Sequence, residues 1–341
     1  MTRRIVRKIL TETISAEKDM EVVGTAPDPF IARDKVLALK PDVLTLDIEM
    51  PRMDGLTFLK KLMIDHPVPV IILSSLTQSS CETSMEALRC GAVEVMAKPG
   101  GPYSIGELRH VLASKLRAAA YAHIGKRMPE AGLFPSVPVI RRLPESSSVE
   151  DSVLAIGAST GGTEAIRVVL EGMPASAPGI VIAQHIPPVF SAAFASRLNK
   201  LCAIEVSEAK DGDEVRPGRA LVAPGNLHMV LRRSGGGFHV EVRSGPQVCY
   251  QRPSVDVLFS SVAEVAEDKA IGVLLTGMGA DGAQGLLRMK QKGACTIAQD
   301  EESCVVYGMP REAVKLGAAD RVLPLSAISG AVLQMQFAGR K

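Results

Sequence analysis

Short apolar runs alternate with amphipathic helical segments over much of this sequence, and this alternation restricts the fold more than any other feature. Strands and helices that alternate in this way form a parallel, doubly wound sheet, because each helix returns the chain across a face of the sheet. In such a sheet, functional groups collect at the C-terminal ends of the strands. Before a helix predicted from Ser104 to about Ala122, the pattern predicts strands at Glu21–Thr25, Val43–Asp47, Val70–Ser74 and Val93–Ala97.

A second alternating stretch begins near Ser152, after a segment rich in proline and serine. Pro129, Pro135, Pro138 and Pro144 make this segment typical of a linker. We therefore expect a first domain over residues 1–120, a linker over 121–150 and a second domain over 151–341. The pattern of the second domain also predicts an α/β fold. It predicts a β-rich insert over Ala220–Arg243, with a hairpin turn at Ser234–Gly237.

Composition excludes several classes of function. The net charge of +2 gives no basic surface field for nucleic acid or for an anionic membrane. Apolar runs such as Val68–Leu73 are far shorter than the ~20 residues that cross a bilayer, and no secretory signal opens the sequence. The six cysteines form no C-x-x-C pair and no zinc spacing. We expect a cytoplasmic protein with reduced thiols, no nucleic-acid partner and no membrane insertion.

Three side chains with hydrolase chemistry follow three predicted strands of the second domain. Ser159 lies in the tight turn Gly157–Gly162, His185 ends the next apolar strand, and Asp281 follows the strand Gly272–Thr276. Because parallel strands end at one edge of their sheet, these residues can meet in one crevice. A serine hydroxyl needs a histidine to take its proton, and the histidine needs a carboxylate to fix its tautomer. The combination favours a serine hydrolase.

Each residue also has a simpler explanation, and spacing alone leaves the alternatives open. Ser159 is compatible with a helix cap or a phosphate contact, His185 with a hydrogen-bonded core residue, and Asp281 with a cap on the helix behind it. The loop Gly277–Gly282 has the G-x-G-x-x-G pattern of a dinucleotide-binding turn, and Asp300 follows the next strand near the ribose-binding position. The alternatives are a nucleotide-binding oxidoreductase and a non-catalytic signalling adaptor.

Six blocks of the second domain resemble, in order, the catalytic domain of chemotaxis-type protein-glutamate methylesterases. They are 156-IGASTGGTEAI, 184-QHIPP, 219-RALVAPGNLHM, 252-RPSVDVLF, 275-LTGMGADG and 303-SCVVYGMPREA. The resemblance implies that Ser159, His185 and Asp281 form a triad, and that the Met278 N–H and Thr160 form the oxyanion hole. It also implies an esterase without metal or cofactor. Its substrates would be methylated glutamates on the cytoplasmic helices of chemoreceptors, whose glutamines it would also deamidate.

The first domain resembles a flavodoxin-like response-regulator receiver. Asp47, followed by 48-IEMPRMDG, matches the phosphorylated aspartate. Ser74 matches the hydroxyl residue that senses the phosphoryl group, and Lys98 matches the lysine that pairs with it. The resemblance implies that a partner histidine kinase phosphorylates Asp47 with the help of Mg²⁺. It further implies that the receiver covers the catalytic crevice until that happens.

The sequence departs from the receiver pattern at its beginning. A receiver opens with a strand whose end carries paired acidic residues that hold Mg²⁺, whereas this sequence begins with the helical segment 3-RRIVRKILTETI. In the usual order 2-1-3-4-5 that strand lies at the centre of the sheet. We therefore expect either a gap in the sheet or a natural start upstream. We also expect weak Mg²⁺ binding, unless Glu49 or Asp54 replaces the acidic pair. Gln251 is a smaller departure, since the esterase family often has histidine there.

Overall fold

The computed structural model describes residues 3–50, 52–75, 77–98, 105–122 and 152–338. The chain divides into two compact units, Met1–Gly125 and Lys126–Lys341. Most of the predicted linker, residues 123–150, lies outside the described residues, so the predicted domain limits stay predictions. No helix in the described ranges is long and apolar enough to cross a membrane.

The described part of the first unit is an α/β sandwich around a parallel sheet. Its strands are β1 (Leu44–Asp47), β2 (Val70–Ser74) and β3 (Glu94–Ala97), and they pair in the order β1-β2-β3. Every residue of β2 and β3 is buried, as expected for parallel strands with helices on both faces. The helices are α1 (Arg3–Ser15), α2 (Pro29–Leu39), α3 (Gly55–Asp65), α4 (Gln78–Arg89) and α5 (Ile105–Ala120).

The prediction of a strand at Glu21–Thr25 is wrong, because residues 20–26 form neither helix nor strand. Among the described residues, β1 pairs with a strand on one side only. On its other side lies a cavity of about 880 Å³, lined by both β1 and this irregular segment. A strand needs a neighbouring backbone for its ladder of hydrogen bonds, and here the position between the two segments is not filled. Within the described residues β1 therefore has no paired strand on that side, and the expectation of either a gap or a natural start upstream stays a prediction.

The second unit is built on a seven-stranded, fully parallel sheet. In chain order its strands are β4 (Val153–Ala158), β5 (Gly179–Gln184), β6 (Glu205–Glu208), β8 (Arg219–Val222), β11 (Ala270–Leu274), β12 (Cys295–Gln299) and β13 (Arg321–Leu323). They pair in the order β13-β12-β11-β4-β5-β8-β6. The helices are α6 (Gly162–Glu171), α7 (Phe190–Leu201), α8 (Val255–Ala266), α9 (Ala283–Gln291), α10 (Met309–Lys315) and α11 (Leu325–Ala338), with a short 3₁₀ helix at Glu267–Lys269.

The β-rich insert is smaller than the sequence pattern indicates. Its sheet contains β7 (Glu214–Val215), β9 (His228–Ser234) and β10 (Gly237–Arg243), in the antiparallel order β7-β10-β9. The predicted insert began at Ala220, but residues 220–222 belong to β8 of the main parallel sheet. The predicted hairpin turn is present between β9 and β10.

Helix α8 packs against the buried centre of the main sheet, near the ends of its strands. All residues of β4, β5 and β11 are buried, and Val255, Leu258 and Phe259 of α8 are fully buried in the same core. A Cβ atom at Gly157 would lie 2.1 Å from Cγ1 of Val255. Only glycine fits there, so the first turn of α8 packs directly against the C-terminal end of β4.

Candidate active site

The three predicted hydrolase residues follow three adjacent strands. Asp281 lies in the loop after β11, Ser159 follows β4 directly, and His185 follows β5. Because these strands are parallel neighbours in the order β11-β4-β5, their C-terminal ends meet at the same edge of the sheet. All three side chains are buried there.

Two hydrogen bonds connect the three side chains in series. The Nδ1 atom of His185 lies 3.0 Å from Oγ of Ser159, and its Nε2 atom lies 2.7 Å from Oδ2 of Asp281. For Nδ1 to accept the serine proton, the ring proton must reside on Nε2 and be donated to the carboxylate. The arrangement can therefore deprotonate the serine and hold the resulting imidazolium. This complete geometry does not favour a non-catalytic adaptor.

Asp281 is held by a helix that is distant in sequence. Its Oδ1 atom accepts from Oγ of Ser254 at 2.8 Å and from the N–H of Asp256 at 3.0 Å, and its Oδ2 atom accepts from the N–H of Val255 at 2.8 Å. These donors form the first turn of α8, where the helix dipole favours a negative charge. The alternative of a cap on the following helix is wrong, since Gly282 occupies the N-cap of α9 and the Asp281 carboxylate accepts from α8 instead.

Opposing effects set the pKa of the Asp281 carboxyl. Burial alone raises this pKa, but the hydrogen bond and charge of His185 and the amides of Asp256 and Val255 outweigh burial, so it lies below the ordinary value. The neighbouring Asp256 behaves in the opposite way. Burial raises its pKa, the N–H of Gly285 lowers it, and the nearby charge of Asp281 raises it further, so it lies above the ordinary value. Asp281 is thus the carboxylate adapted to stay ionised beside the imidazole.

The turn that carries Ser159 is fixed from several sides. The N–H of Ser159 donates to the carbonyl of Thr276 at 3.0 Å, and the side-chain amide of Gln184 donates to the carbonyl of Ser159 at 2.9 Å. Gly161 has a φ of 77°, which glycine adopts without strain. A Cβ atom at Gly162 would lie 2.2 Å from Oε1 of Gln184. The glycines therefore let the strand bend sharply into α6 with the serine at the bend.

The structure also places the two predicted oxyanion-hole residues beside the serine. Thr160 follows Ser159 directly and is buried. The loop after β11 approaches so closely that a Cβ atom at Gly277 would lie 2.7 Å from Cβ of Ser159. No hydrogen-bond acceptor for the N–H of Met278, the next residue of this loop, is present among the described residues. This N–H group is thus unpaired within the described part of the chain.

Several supporting residues were missed by the sequence analysis. Ser254 lies within the quoted block 252-RPSVDVLF, and the G-x-G-x-x-G loop drew attention to Asp281 but not to the preceding Thr276. Gln184 precedes His185, and no pattern distinguishes it from an ordinary strand-end residue. Gln299 is fully buried, and its side chain accepts the N–H of Thr276 and donates to the carbonyl of Ser303. Contacts over such sequence distances leave no local signal.

The dinucleotide alternative finds no support in the geometry. Asp300, the proposed ribose ligand, accepts hydrogen bonds from the N–H and the hydroxyl of Ser303 at 3.0 and 2.6 Å. The carboxylate of Asp281 is turned to His185 and α8, where a pyrophosphate would meet a negative charge. The glycine-rich loop therefore delivers a carboxylate to the site.

In the first unit, the structure brings Asp47 and Lys98 together. The Nζ atom of Lys98 lies 2.9 Å from Oδ1 of Asp47 and 2.7 Å from Oε2 of Glu49. Burial alone lowers the pKa of Lys98, but these hydrogen bonds outweigh burial and raise it above the ordinary value. The same hydrogen bond from Lys98 lowers the pKa of Glu49 below its ordinary value. Ser74 is buried at the end of β2 and contacts the carbonyls of Ser75 and Ser80, each at 3.2 Å.

The described residues around Asp47 do not fit the acidic Mg²⁺ site that the receiver resemblance implies. Asp47 and Glu49 are both tied to Lys98, while Asp54 accepts the N–H and hydroxyl of Thr57 at the start of α3. The one group of three potential metal ligands found within the described ranges is Cys249, Asp256 and Asp281 in the other unit. Mg²⁺ prefers carboxylate oxygens that are free to coordinate, and these three described carboxylates are all engaged by other groups.

Comparisons with known proteins match both units. The CheB methylesterase family model matches residues 154–332, and the response-regulator receiver domain model matches residues 2–110. The protein-glutamate methylesterase/protein-glutamine glutaminase 2 of Syntrophus aciditrophicus is 57% identical over 332 residues, or 97% of this chain and 96% of that protein. The protein-glutamate methylesterase/protein-glutamine glutaminase of Salmonella typhimurium is 51% identical over 338 residues, or 98% and 95% of the two chains.

A solved structure supports the fold of the second unit. The catalytic domain of the Thermotoga maritima CheB methylesterase matches 54% of this chain and 98% of its own length, with 37% identity and a TM-score of 0.53.

Proposed function

Because this chain belongs to the CheB methylesterase family, with a response-regulator receiver before the methylesterase domain, we propose that its Ser159, His185 and Asp281 form the catalytic triad. The activity is that of a protein-glutamate methylesterase and protein-glutamine glutaminase, which the receiver regulates in chemotaxis adaptation. The observation that carries the residue assignment is the series of hydrogen bonds from Ser159 through His185 to Asp281, at 3.0 and 2.7 Å.

The proposed reaction begins with attack by Oγ of Ser159 on the side-chain carbonyl carbon of a methylated glutamate. Nδ1 of His185 accepts the serine proton as the new C–O bond forms, and Asp281 stabilises the imidazolium through Nε2. The carbonyl oxygen becomes negatively charged in the tetrahedral intermediate. The N–H of Met278 and the Thr160 position donate hydrogen bonds to this oxygen. Donors placed where negative charge develops stabilise that charge strongly.

Collapse of the intermediate breaks the ester bond and completes the cycle. His185 returns its proton to the departing methoxide, so methanol leaves and an acyl-enzyme on Ser159 remains. A water molecule, deprotonated by the same imidazole, then attacks the acyl carbon and releases glutamate. With a glutamine side chain, ammonia departs in place of methanol. The buried position of the three side chains favours this electrostatic stabilisation.

The substrates in this proposal are methylated glutamates and glutamines on the cytoplasmic helices of chemoreceptors, and the enzyme acts in the cytoplasm. A chemotaxis histidine kinase supplies the phosphoryl group to Asp47, with Lys98 as its partner and Ser74 as the switch hydroxyl. The contact between Lys98 and Asp47 supports this assignment. Mg²⁺ serves only the receiver, and the shortage of free carboxylates around Asp47 indicates that it binds weakly.

A serine-directed fluorophosphonate tests the assignment of the nucleophile. We expect one covalent adduct per chain, located on Ser159 by peptide mass spectrometry and absent from the Ser159→Ala variant. Methanol release from methylated receptor should fall in proportion to the labelled fraction. A fully active enzyme after labelling, or an adduct on another serine, would contradict the proposal.

A further inference from the structure

Thr276 lies at the centre of a buried network behind the proposed active site. Its side chain is 1% exposed, and every polar group of the residue has a hydrogen-bond partner. Its N–H donates to the side chain of Gln299 at 2.8 Å, and its carbonyl accepts the N–H of Ser159 at 3.0 Å. The backbone of Thr276 therefore already holds the nucleophile to the end of β11.

The hydroxyl of Thr276 adds contacts that the backbone cannot provide. Its Oγ1 atom lies 3.0 Å from the carbonyl of Thr160 and 3.2 Å from the carbonyl of Val306, and it accepts the N–H of Val306 at 2.9 Å. A hydroxyl has a single proton, and the Val306 carbonyl already accepts the N–H of Gly277 at 3.0 Å. The shorter contact and this competing donor both favour the carbonyl of Thr160 over that of Val306 as the acceptor of the proton.

These contacts add a side-chain link between two backbone segments that the hydrogen bond from Ser159 to Thr276 already holds together. Thr160 lies in the turn after β4, and Met278 lies in the loop after β11. Through Val306, the hydroxyl also supports that loop, because Val306 bonds Gly277 and the carbonyl of Gly277 accepts the N–H groups of Gly308 and Met309 at 3.1 and 2.8 Å. An oxyanion hole built from two segments works only if their donors are aimed at one point.

We propose that the buried hydroxyl of Thr276 is a positioning group that sets the separation of the two oxyanion-binding segments, the Ser159–Thr160 turn and the Gly277–Met278 loop. This inference rests on the proposed function. Thr276 touches neither the substrate nor the reacting atoms, and it acts through the backbone that it holds. Its loss should therefore slow the chemical step and leave substrate binding unchanged.

The test replaces the hydroxyl with a methyl group of nearly the same shape in the full chain. Thr276→Val should lower kcat by about 10- to 100-fold, because small displacements of oxyanion donors have effects of this size. The KM for methylated receptor should stay within about twofold of wild type, since uniform binding is untouched. The rate of fluorophosphonate labelling at Ser159 should fall with kcat. Thr276→Ser keeps the hydroxyl and should recover most of both rates.

Thr296 provides a matched control in the neighbouring strand β12. It is equally buried, its Oγ1 atom lies 2.7 Å from the carbonyl of Ala318, and it accepts the N–H of Asp320 at 3.0 Å, yet it bonds no residue of the site. Thr296→Val should lower the melting temperature about as much as Thr276→Val and leave kcat unchanged. If Thr276→Val is not recovered folded, Thr276→Ala removes the hydroxyl without adding bulk and is measured in the same way.

Three results would overturn the inference. They are a wild-type kcat in Thr276→Val, an equal loss of kcat in Thr296→Val, and a Thr276→Ser variant as slow as Thr276→Val. Each leaves the proposed function intact, because the wild-type chain would still release methanol and label at Ser159. Failure of the wild-type chain to do either would instead contradict the proposed function.

Discussion

The N–H of Val255 donates a 2.8 Å hydrogen bond to Oδ2 of Asp281, the same carboxylate oxygen that receives the imidazole. The carboxylate is therefore fixed by the first turn of α8, which packs against the end of β4 where Ser159 lies. The start of α8 thus holds Asp281 in position, and together with His185 it keeps the carboxyl pKa below its ordinary value. A helix start that serves as the anchor of a carboxylate explains why Asp281 can be buried and still ionised.

Replacing the nucleophile should abolish activity and leave the fold intact. Ser159→Ala should lower kcat for methanol release by about 10⁶-fold, because the remaining triad cannot act without an attacking oxygen. The measurement is methanol release from methylated receptor by the full chain, with circular dichroism as the test of folding. Ser329→Ala is the control and should keep full activity, since the hydroxyl of this buried serine in the same unit donates to the carbonyl of Val169. Ser159→Ala with a tenth of wild-type activity would contradict the assignment.

Asp281→Asn should leave the geometry and remove the charge. We expect a loss of about 10⁴-fold in kcat, because the amide can hold the imidazole in the wrong tautomer. We also expect a loss of about 1–3 kcal/mol in the free energy of unfolding, because the amide NH₂ group faces donors that the carboxylate accepted. Asp300→Asn is the control, and it should keep wild-type kcat. Equal effects of the two substitutions would favour a structural role for Asp281.

The carboxylate of Asp281 should also contribute to the pH dependence of the free energy of unfolding. The folded pKa of Asp281 lies below its ordinary value of 3.8, so its contribution to stability is complete above about pH 4 and is lost as the pH falls through the folded pKa. The free energy of unfolding in urea, measured from about pH 6 down to about pH 3, should therefore decline less steeply in Asp281→Asn than in wild type. Parallel curves for the two proteins would be incompatible with a lowered pKa.

The second unit should fold and act without the receiver. A fragment that begins near Ser148 contains Ser159, His185, Asp281 and the whole seven-stranded sheet. We expect it to unfold cooperatively and to hydrolyse methylated receptor at a rate that does not depend on phosphodonor. The same fragment with Ser159→Ala is the control for contaminating esterase. A folded but inactive fragment would mean that the receiver supplies part of the chemistry.

The receiver of this 341-residue chain should be a poor phosphoryl acceptor. Phosphoryl transfer to Asp47 needs Mg²⁺ to neutralise developing charge, whereas Asp47 and Glu49 are tied to Lys98 and Asp54 accepts from Thr57. With a small-molecule phosphodonor and Mg²⁺, we expect little acyl phosphate and little change in the esterase rate, with Asp47→Asn as the baseline. Strong phosphorylation with strong activation would show that Glu49 or another carboxylate coordinates the ion after all.

The sequence predicted the elements whose signals are local. The strands before Asp47, Ser159 and His185 are apolar runs with helices behind them, and each forms at or close to its predicted position. The meeting of Ser159, His185 and Asp281 also follows, because a parallel sheet brings the ends of its strands to one edge. What the periodicity cannot indicate is whether a strand has a neighbour. The segment Glu21–Thr25 has the composition of a strand, yet among the described residues it pairs with no other strand and forms none.

The supporting contacts of the site were beyond the sequence for another reason. Asp281 accepts hydrogen bonds from Ser254 and Val255, which lie more than 25 positions away in the sequence. Thr276 accepts a hydrogen bond from Val306, which lies 30 positions away. Such pairs depend on the register between β11, β4 and the segments that pack behind them, and register follows from the packing of the whole unit. The insert is a similar case, since Ala220 belongs to the main sheet through pairing with β5 and β6, which lie 40 and 14 positions before it.

The hairpin turn between β9 and β10 is a position at which the second unit should accept an inserted sequence. A Cβ atom at Gly235, Gly236 or Gly237 would meet nothing within 4 Å, and the turn joins strands of the small antiparallel sheet, apart from the one that orders the triad. Exposed turns of this kind accept inserted domains with little effect on the host fold. A fluorescent reporter or an affinity handle placed between Gly235 and Gly236 would therefore follow the enzyme in the cell while the esterase keeps working.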